Sequence, residues 1–261
     1  MITFIITMNT TLIIIFIILI VCIIADVSYE HMTPYESIDY INNIPIFVIN
    51  LKNRRDRKAR VINELEYHKI DGVFVEAING KNLNIDGVHP NQIYKPNYTY
   101  RPLRKGEIGC YLSHIACWNL ILKSGKPYGL VLEDDVVFVD NFKYIFNDMF
   151  GYIVDPKNNI EWDIIMLGRR CDEKLFYEDC KDGKGIYKSA FYPSFVGYGT
   201  FAYIIKTDTI KKLLNTTFPI FKPIDVIIID EQQKKNIKII SFTKNLVGVY
   251  SLYDSDTIKI K

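Results

Sequence analysis

The run Ile44-Pro45-Ile46-Phe47-Val48-Ile49-Asn50-Leu51, then a charged helical stretch, then Gly72-Val73-Phe74-Val75-Glu76-Ala77, narrows most what this chain can fold into. A short apolar run rich in β-branched residues marks a strand buried on both faces. Arg54 to about Lys69 carries Val61, Leu65 and His68 or Lys69 at loosely helical spacing, with Asn53 as the expected N-cap and Asp56 three residues on. Strand, helix, strand in this order predicts a parallel α/β start, because parallel neighbours need a crossover connection. A chain of 261 residues is long enough for one well-buried α/β domain plus an appendage.

The pattern continues beyond this unit. Residues 79–105 lack periodicity and read as a long loop, and Gly106 to Lys123 reads as a helix. Tyr128 to Leu132 is a short apolar strand that ends in Glu133-Asp134-Asp135, and Trp162 to Leu167 is another. Arg169 to Ser189 is charged, contains glycine and reads as a loop; Val196 to Ile205 reads as extended. Thr207 or Asp208 is expected to cap a helix through Leu214, and Val226-Ile227-Ile228-Ile229 reads as a strand. No repeat at solenoid periods is visible.

Ile2 to Ala25 contains no charged side chain. A bilayer core needs roughly 20 mostly apolar residues in a helix, so the expected organisation is a transmembrane signal-anchor at 1–25, a polar stem at 26–43 and a catalytic domain at 44–261. A cleaved signal peptide is the rival reading, but the basic n-region is missing and Ile23 is a poor cleavage context. A single-pass anchor with a lumenal domain is the expected location. The formal net charge of +2 creates no basic field, so nucleic acid is not an expected partner. Among five cysteines there is no C-x-x-C pair, which argues against a structural zinc site; Cys171 and Cys180 could pair in an oxidising lumen. Asn97-Tyr98-Thr99 and Asn215-Thr216-Thr217 are glycosylation sequons that matter only in such a lumen.

Three constellations carry chemistry. Glu133-Asp134-Asp135 directly follows a buried strand, and in extended backbone alternate residues share a face, so Glu133 and Asp135 are expected to point the same way. Two carboxylates aimed together repel, and a hard divalent cation with oxygen ligands relieves that repulsion. The carboxyl edge of a parallel sheet is also where ligands bind in open α/β folds. Taken alone, the tripeptide fits an acidic surface turn better than a metal site.

The second constellation is Asn50-Leu51 with Arg54, Arg55 and Arg57 where strand gives way to helix. Cations there oppose the helix dipole by about 0.3–1 kcal/mol each, which invites a compensating anion such as a nucleotide diphosphate. A solvated basic face offset by Asp56 and Glu64 is the plainer alternative. The third is Gly106-Glu107-Ile108-Gly109-Cys110-Tyr111-Leu112-Ser113-His114, followed by Trp118. Two glycines ahead of a helix allow close backbone approach to a ligand, and Ser113 and His114 place polar groups near that end. Cys110 and Trp118 read as core residues.

Phe47-Val48-Ile49-Asn50-Leu51 with Arg54-Arg55, the Gly106 to His114 block, and Leu132-Glu133-Asp134-Asp135-Val136 together resemble glycosyltransferase family 25. That family includes bacterial lipopolysaccharide galactosyltransferases and procollagen galactosyltransferases. Gly199-Thr200-Phe201-Ala202-Tyr203, Lys211-Lys212-Leu213-Leu214, Pro223-Ile224-Asp225 and Ser255-Asp256-Thr257 extend the resemblance in family order. Arg104-Lys105 depart from the Thr-Pro of many relatives.

The resemblance implies a GT-A-like, Rossmann-like nucleotide-sugar-binding fold and an inverting transfer of a sugar, often galactose from UDP-galactose. The acceptor would be a hydroxyl on a glycan, lipid-linked sugar or protein. It implies a Mn2+-type cation on Glu133 and Asp135, and donor contacts from Asn50, Arg54, Arg55, Gly109, Ser113, His114 and Asp134. The base that takes the acceptor proton is expected at Asp225, with Asp230 and Glu231 as alternatives. Two other functions compete: a metal-dependent phosphatase or nucleotidyltransferase, and a membrane-tethered, catalytically inactive carbohydrate-binding protein.

Overall fold

Strand β1 (Ile46–Asn50) is buried at every position because its alternate residues feed two separate cores. In the computed structural model, which describes residues 38–83, 101–168, 186–188, 199–242 and 245–250, this strand sits near one edge of a seven-stranded mixed sheet. The further strands are β2 (Val73–Glu76), β3 (Tyr128–Glu133), β4 (Val136–Phe138), β5 (Ile164–Met166), β6 (Ile186–Lys188), β7 (Ala202–Lys206), β8 (Ile239–Phe242) and β9 (Val247–Val249). The order across the sheet is β2-β1-β3-β7-β5-β8-β6, and β4 pairs with β9 in a separate ribbon. β1 runs parallel to β2 and to β3, with Ile49 opposite Glu133, as the strand-helix-strand pattern predicts. β7 is antiparallel to both β3 and β5, so the parallel start opens into a mixed α/β sheet.

The helices among the described residues are α1 (Tyr40–Asn43), α2 (Arg55–His68), α3 (Lys105–Lys123), α4 (Phe142–Val154), α5 (Thr207–Leu214) and α6 (Ile224–Gln233). Ile46 and Val48 pack with residues of α1, α2 and α4 on one face of the sheet. Phe47 and Ile49 pack with residues of α3, α5 and α6 on the other. The result is a three-layer arrangement, the usual solution for a sheet whose strands are apolar on both sides. On α4, Phe142, Phe146 and Phe150 recur every fourth residue and are fully buried, with the last two rings stacked at 5.3 Å. Burial of each such side chain stabilises the fold by about 1.5–3 kcal/mol.

Several local expectations are corrected. α2 begins at Arg55 with Arg54 in the N-cap, so Asn53 lies outside the helix. Gly106 and Gly109 lie inside α3 rather than ahead of it. α5 starts at Thr207, with Lys206 in the cap position. Val226 to Ile229 is helical, not a strand: Ile224, Ile227, Ile228, Glu231 and Gln232 are the buried positions of α6, at three- and four-residue spacing. The run of isoleucines imitated a strand by composition, and the helical period emerges only when the flanking residues are counted.

The described residues from Asp39 onward belong to one compact unit. Its start precedes the predicted boundary at Ile44, because α1 belongs to the core: Ile41 is fully buried and donates its N–H to Asn147 Oδ1 at 3.0 Å. Among the described residues no helix is long and apolar enough to cross a membrane. The apolar segment 2–25, most of the stem, Cys22, Cys171, Cys180, the sequon at Asn97 and Ser255-Asp256-Thr257 lie outside those residues.

Candidate active site

The carboxyl ends of β1 and β3 open into a cavity of about 170 Å³. This is where parallel strands leave a crevice for ligands. Its walls come from Ile78 to Lys81, from the first turns of α3 through Cys110, Ser113 and His114, and from the acidic turn Glu133-Asp134-Asp135.

A close backbone approach positions the first two walls. A 3-10 turn at Gly80–Asn82 lies against the start of α3. A Cβ on Gly109 would come within 2.4 Å of the Ile78 carbonyl oxygen and 2.6 Å of the Gly80 nitrogen. Gly109 therefore serves helix-to-loop packing and does not line the cavity, contrary to the expected donor contact. Ser113 adds a second tie: its hydroxyl donates to Gly109 O at 2.7 Å and accepts from Ile78 N–H at 2.8 Å. Glu107 completes the helix start by accepting from Arg104 N–H at 2.8 Å and pairing with the Arg101 guanidinium. Burial raises the Glu107 carboxyl, but the Arg101 fork and the Arg104 N–H outweigh burial and hold it below the ordinary range.

β3 ends at Glu133, and Asp134 and Asp135 form the turn into β4, so strand alternation does not extend through the triplet. All three residues nonetheless face the cavity. The Asp134 carboxylate is occupied on both oxygens: Asn50 Nδ2 donates to Oδ2 at 2.7 Å and Arg57 Nη1 to Oδ1 at 2.8 Å. The same Asn50 amide donates to Arg54 O at 3.1 Å, locking the turn into α2. Burial opposes the Arg57 charge, but the Asp134 carboxylate outweighs it and raises the guanidinium pKa.

The arginine that reaches the site is thus Arg57, not Arg54 or Arg55. Arg54 folds back onto Asp56 at 3.0 Å, and Arg55 is exposed. Arg57 shares the inner face of α2 with Val61, Leu65 and His68, and that spacing is the sequence signal that singles it out.

Glu133 meets a buried polar chain. Its Oε1 lies 3.5 Å from His114 Nε2 and 3.5 Å from Thr200 Oγ1. His114 is fully buried; its Nδ1 is 2.9 Å from Tyr203 Oη, which also accepts the Trp118 indole N–H at 2.8 Å. With Tyr203 donating to Nδ1, the His114 proton sits on Nε2 and points at Glu133 and Thr200. Trp118 is core, as expected. Cys110 is not: it is half-buried on the cavity wall, where burial pushes its thiol well up and the carboxylates of Glu133, Asp225 and Asp135 add to that. Thr200 and Tyr203 were legible only as part of the Gly199 to Tyr203 family match, since both lie in an apolar strand region that gives neither a polar role of its own.

Asp225 sits in the first turn of α6, outside the residues that line the cavity. It accepts from Val226 N–H at 2.9 Å and Gly199 N–H at 3.2 Å. Burial lifts its carboxyl above the ordinary aspartate range; the two N–H bonds oppose the lift and the nearby Glu133 adds to it. Asp230 pairs with Lys222, and Glu231 is tied to Lys234 and Asn236, so both alternatives are committed to local structure.

The sequence resembles several characterised chains. Procollagen galactosyltransferase 2 of Homo sapiens is 31% identical over 208 residues, covering 74% of this chain and 32% of that protein. The Mus musculus protein of the same name is 34% identical over 158 residues, covering 56% and 25%. The probable inactive glycosyltransferase 25 family member 3 of Bos taurus is 34% identical over 174 residues, covering 65% and 28%. The chain therefore spans about a third or less of the length of these relatives. A crystal structure of a glycosyltransferase involved in glycosylation of the PBCV-1 major capsid aligns at a TM-score of 0.37 and 14% identity, covering 76% of this chain and 80% of that one, too loosely to speak to a reaction. The family described as Glycosyltransferase family 25 (LPS biosynthesis protein) matches residues 43–228, a span that contains the acidic turn, Arg57, the α3 block and Asp225. The chain belongs to glycosyltransferase family 25.

Proposed function

We propose that this chain is a glycosyltransferase of the GT-A type that moves a sugar, galactose being the first candidate, from a nucleotide-sugar donor such as UDP-galactose to an acceptor hydroxyl. The acceptor class is a glycan, a lipid-linked sugar or a protein. One observation carries the reading: in a family 25 chain, the acidic turn lines a cavity at the carboxyl ends of parallel strands, with its central carboxylate already neutralised by Arg57. Two hard oxygen donors, Glu133 and Asp135, line that wall and suit a cation of the Mn2+ type. Such a cation, when bound there, would supply charge neutralisation for the departing diphosphate.

The chain's own residues do the rest. The Asn50–Asp134–Arg57 tie holds the acidic turn against α2, and His114 orients Glu133 from behind. The acceptor oxygen forms its bond to the anomeric carbon as the bond to phosphate breaks, which inverts that centre. The acceptor proton passes to a carboxylate, assigned to Asp225, whose lifted pKa suits a proton acceptor better than an ordinary aspartate would. Because Asp225 stands outside the cavity lining, the acceptor would approach from the Gly199 side. A lumenal domain behind an N-terminal anchor remains part of the proposal.

A second reading, a sugar-binding protein without turnover, draws on the relatives whose names call them inactive. Donor hydrolysis by the purified domain, measured across a nucleotide-sugar panel with and without Mn2+, separates the two. Mn2+-dependent release of UDP from one donor supports the transferase; donor binding without release supports the second reading.

A further inference from the structure

Cys110 and His114 are four residues apart on α3, so both side chains leave the helix on one face. Glu133 reaches the same point from the end of β3. The thiol sulfur, an imidazole nitrogen and a carboxylate oxygen of these three residues lie within 4.8 Å of one another, and all three residues line the cavity. We infer that Cys110, His114 and Glu133 form a binding site for a thiophilic divalent cation of the zinc class.

The donor set decides the class of ion. Thiolate and imidazole select zinc-like cations, whereas a pair of carboxylates such as Glu133 and Asp135 suits harder ions. Tetrahedral zinc bonds of about 2.0–2.3 Å require the donor atoms to draw in slightly. The Glu133 side chain, 29% exposed, has room to turn. Three protein ligands leave a fourth position that opens to the cavity, where a water or a phosphate oxygen can sit. The atoms beyond the ligands fit as well. With Nε2 on the cation, the His114 proton moves to Nδ1 and the Tyr203 hydrogen bond reverses, so that Nδ1–H donates to Tyr203 Oη, 2.9 Å away, whose position the Trp118 indole N–H holds. The Cys110 thiol proton is released to solvent as the sulfur binds.

An ion held there takes Glu133 away from the oxygen-only pair. It follows that zinc competes with Mn2+, a consequence that rests on the proposed transferase reading; the site itself does not. The test uses cobalt(II) on the purified full chain, because a cobalt–thiolate bond gives a near-ultraviolet charge-transfer band that carboxylates do not. The expected result is such a band at saturation with a single equivalent, displaced by zinc and absent from Cys110→Ser. That substitution is nearly isosteric at a half-exposed position, so the fold survives it. Loss of an outer partner alone typically weakens metal binding about 10–100-fold, and loss of the sulfur should cost no less. Asp135→Asn should keep the band. No thiolate band in the wild-type chain, unchanged zinc affinity in Cys110→Ser, or loss of the band in Asp135→Asn would overturn the assignment. A chain with the cobalt band and no Mn2+-dependent turnover refutes the transferase reading only; the reverse refutes this site only.

Discussion

Arg57 Nη1 lies 2.8 Å from Asp134 Oδ1, with both side chains buried at 6% and 9% exposure. The central acid of the triplet is therefore an internal tie, while its two neighbours, Glu133 and Asp135, line the cavity. Burying two charges is expensive, and the Asn50 amide on the second carboxylate oxygen helps to offset that cost.

Removing one partner of such a pair strands the other charge in the interior. Arg57→Ala should lower unfolding free energy by about 3–5 kcal/mol. Arg55→Ala, at an exposed position, should stay within about 0.5–1 kcal/mol of wild type, and Arg54→Ala, whose Asp56 partner is exposed, should cost less than Arg57→Ala. Urea unfolding of the three variants checks this, and equal losses at all three positions would refute the buried tie.

Asp135→Asn should abolish Mn2+-dependent donor turnover, because a neutral amide is a far weaker ligand for a hard cation than a carboxylate. The comparison is UDP release against Mn2+ concentration. Wild-type turnover in the variant removes Asp135 from the cation set.

Asp225→Asn keeps the shape of the side chain but cannot take a proton. Donor binding should survive and transfer should fall by about 10²-fold or more. The pH profile gives an independent reading. Burial first, with Glu133 adding, raises the Asp225 pKa above the ordinary 3.8. The deprotonated base is therefore lost as pH falls through that raised value, and the acid limb of transfer should lie above 3.8. A profile whose acid limb is unchanged in Asp225→Asn places the base elsewhere.

Glu107 offers a stability test far from turnover. Its pKa is depressed below 4.5 despite burial, through the Arg101 fork and the Arg104 N–H, so the charged form favours the folded state. That contribution is fully present above the unfolded value and is lost as pH falls through the folded one. Glu107→Gln should cost about 1 kcal/mol at neutral pH, the scale of a lost helix-start interaction. The gap between variant and wild type should close as pH drops below 4.5. A gap that widens in acid contradicts the assignment.

Local pattern determined a good deal of this protein. The β-branched run at 46–50 and the helix and strand after it specified parallel pairing, because alternation, crossover length and strand burial are all local properties. The acidic triplet at a strand end and the Gly106 to His114 block were likewise legible as chemistry. Tertiary structure alone decided which groups those residues meet. Asp134 became a tie because Arg57, 77 residues away in sequence, shares the buried face of α2. Gly109 serves packing because the backbone of Ile78 to Gly80 passes across it. Cys110 reached the cavity wall because α3 presents it beside His114 and opposite Glu133. Isoleucines 227 to 229 entered a helix because their neighbours Ile224, Glu231 and Gln232 supply the remaining buried positions at helical spacing. Composition records what a side chain is; long-range packing sets its distance to a charge, and that distance decides whether a carboxylate is neutralised, lifted in pKa or left to bind.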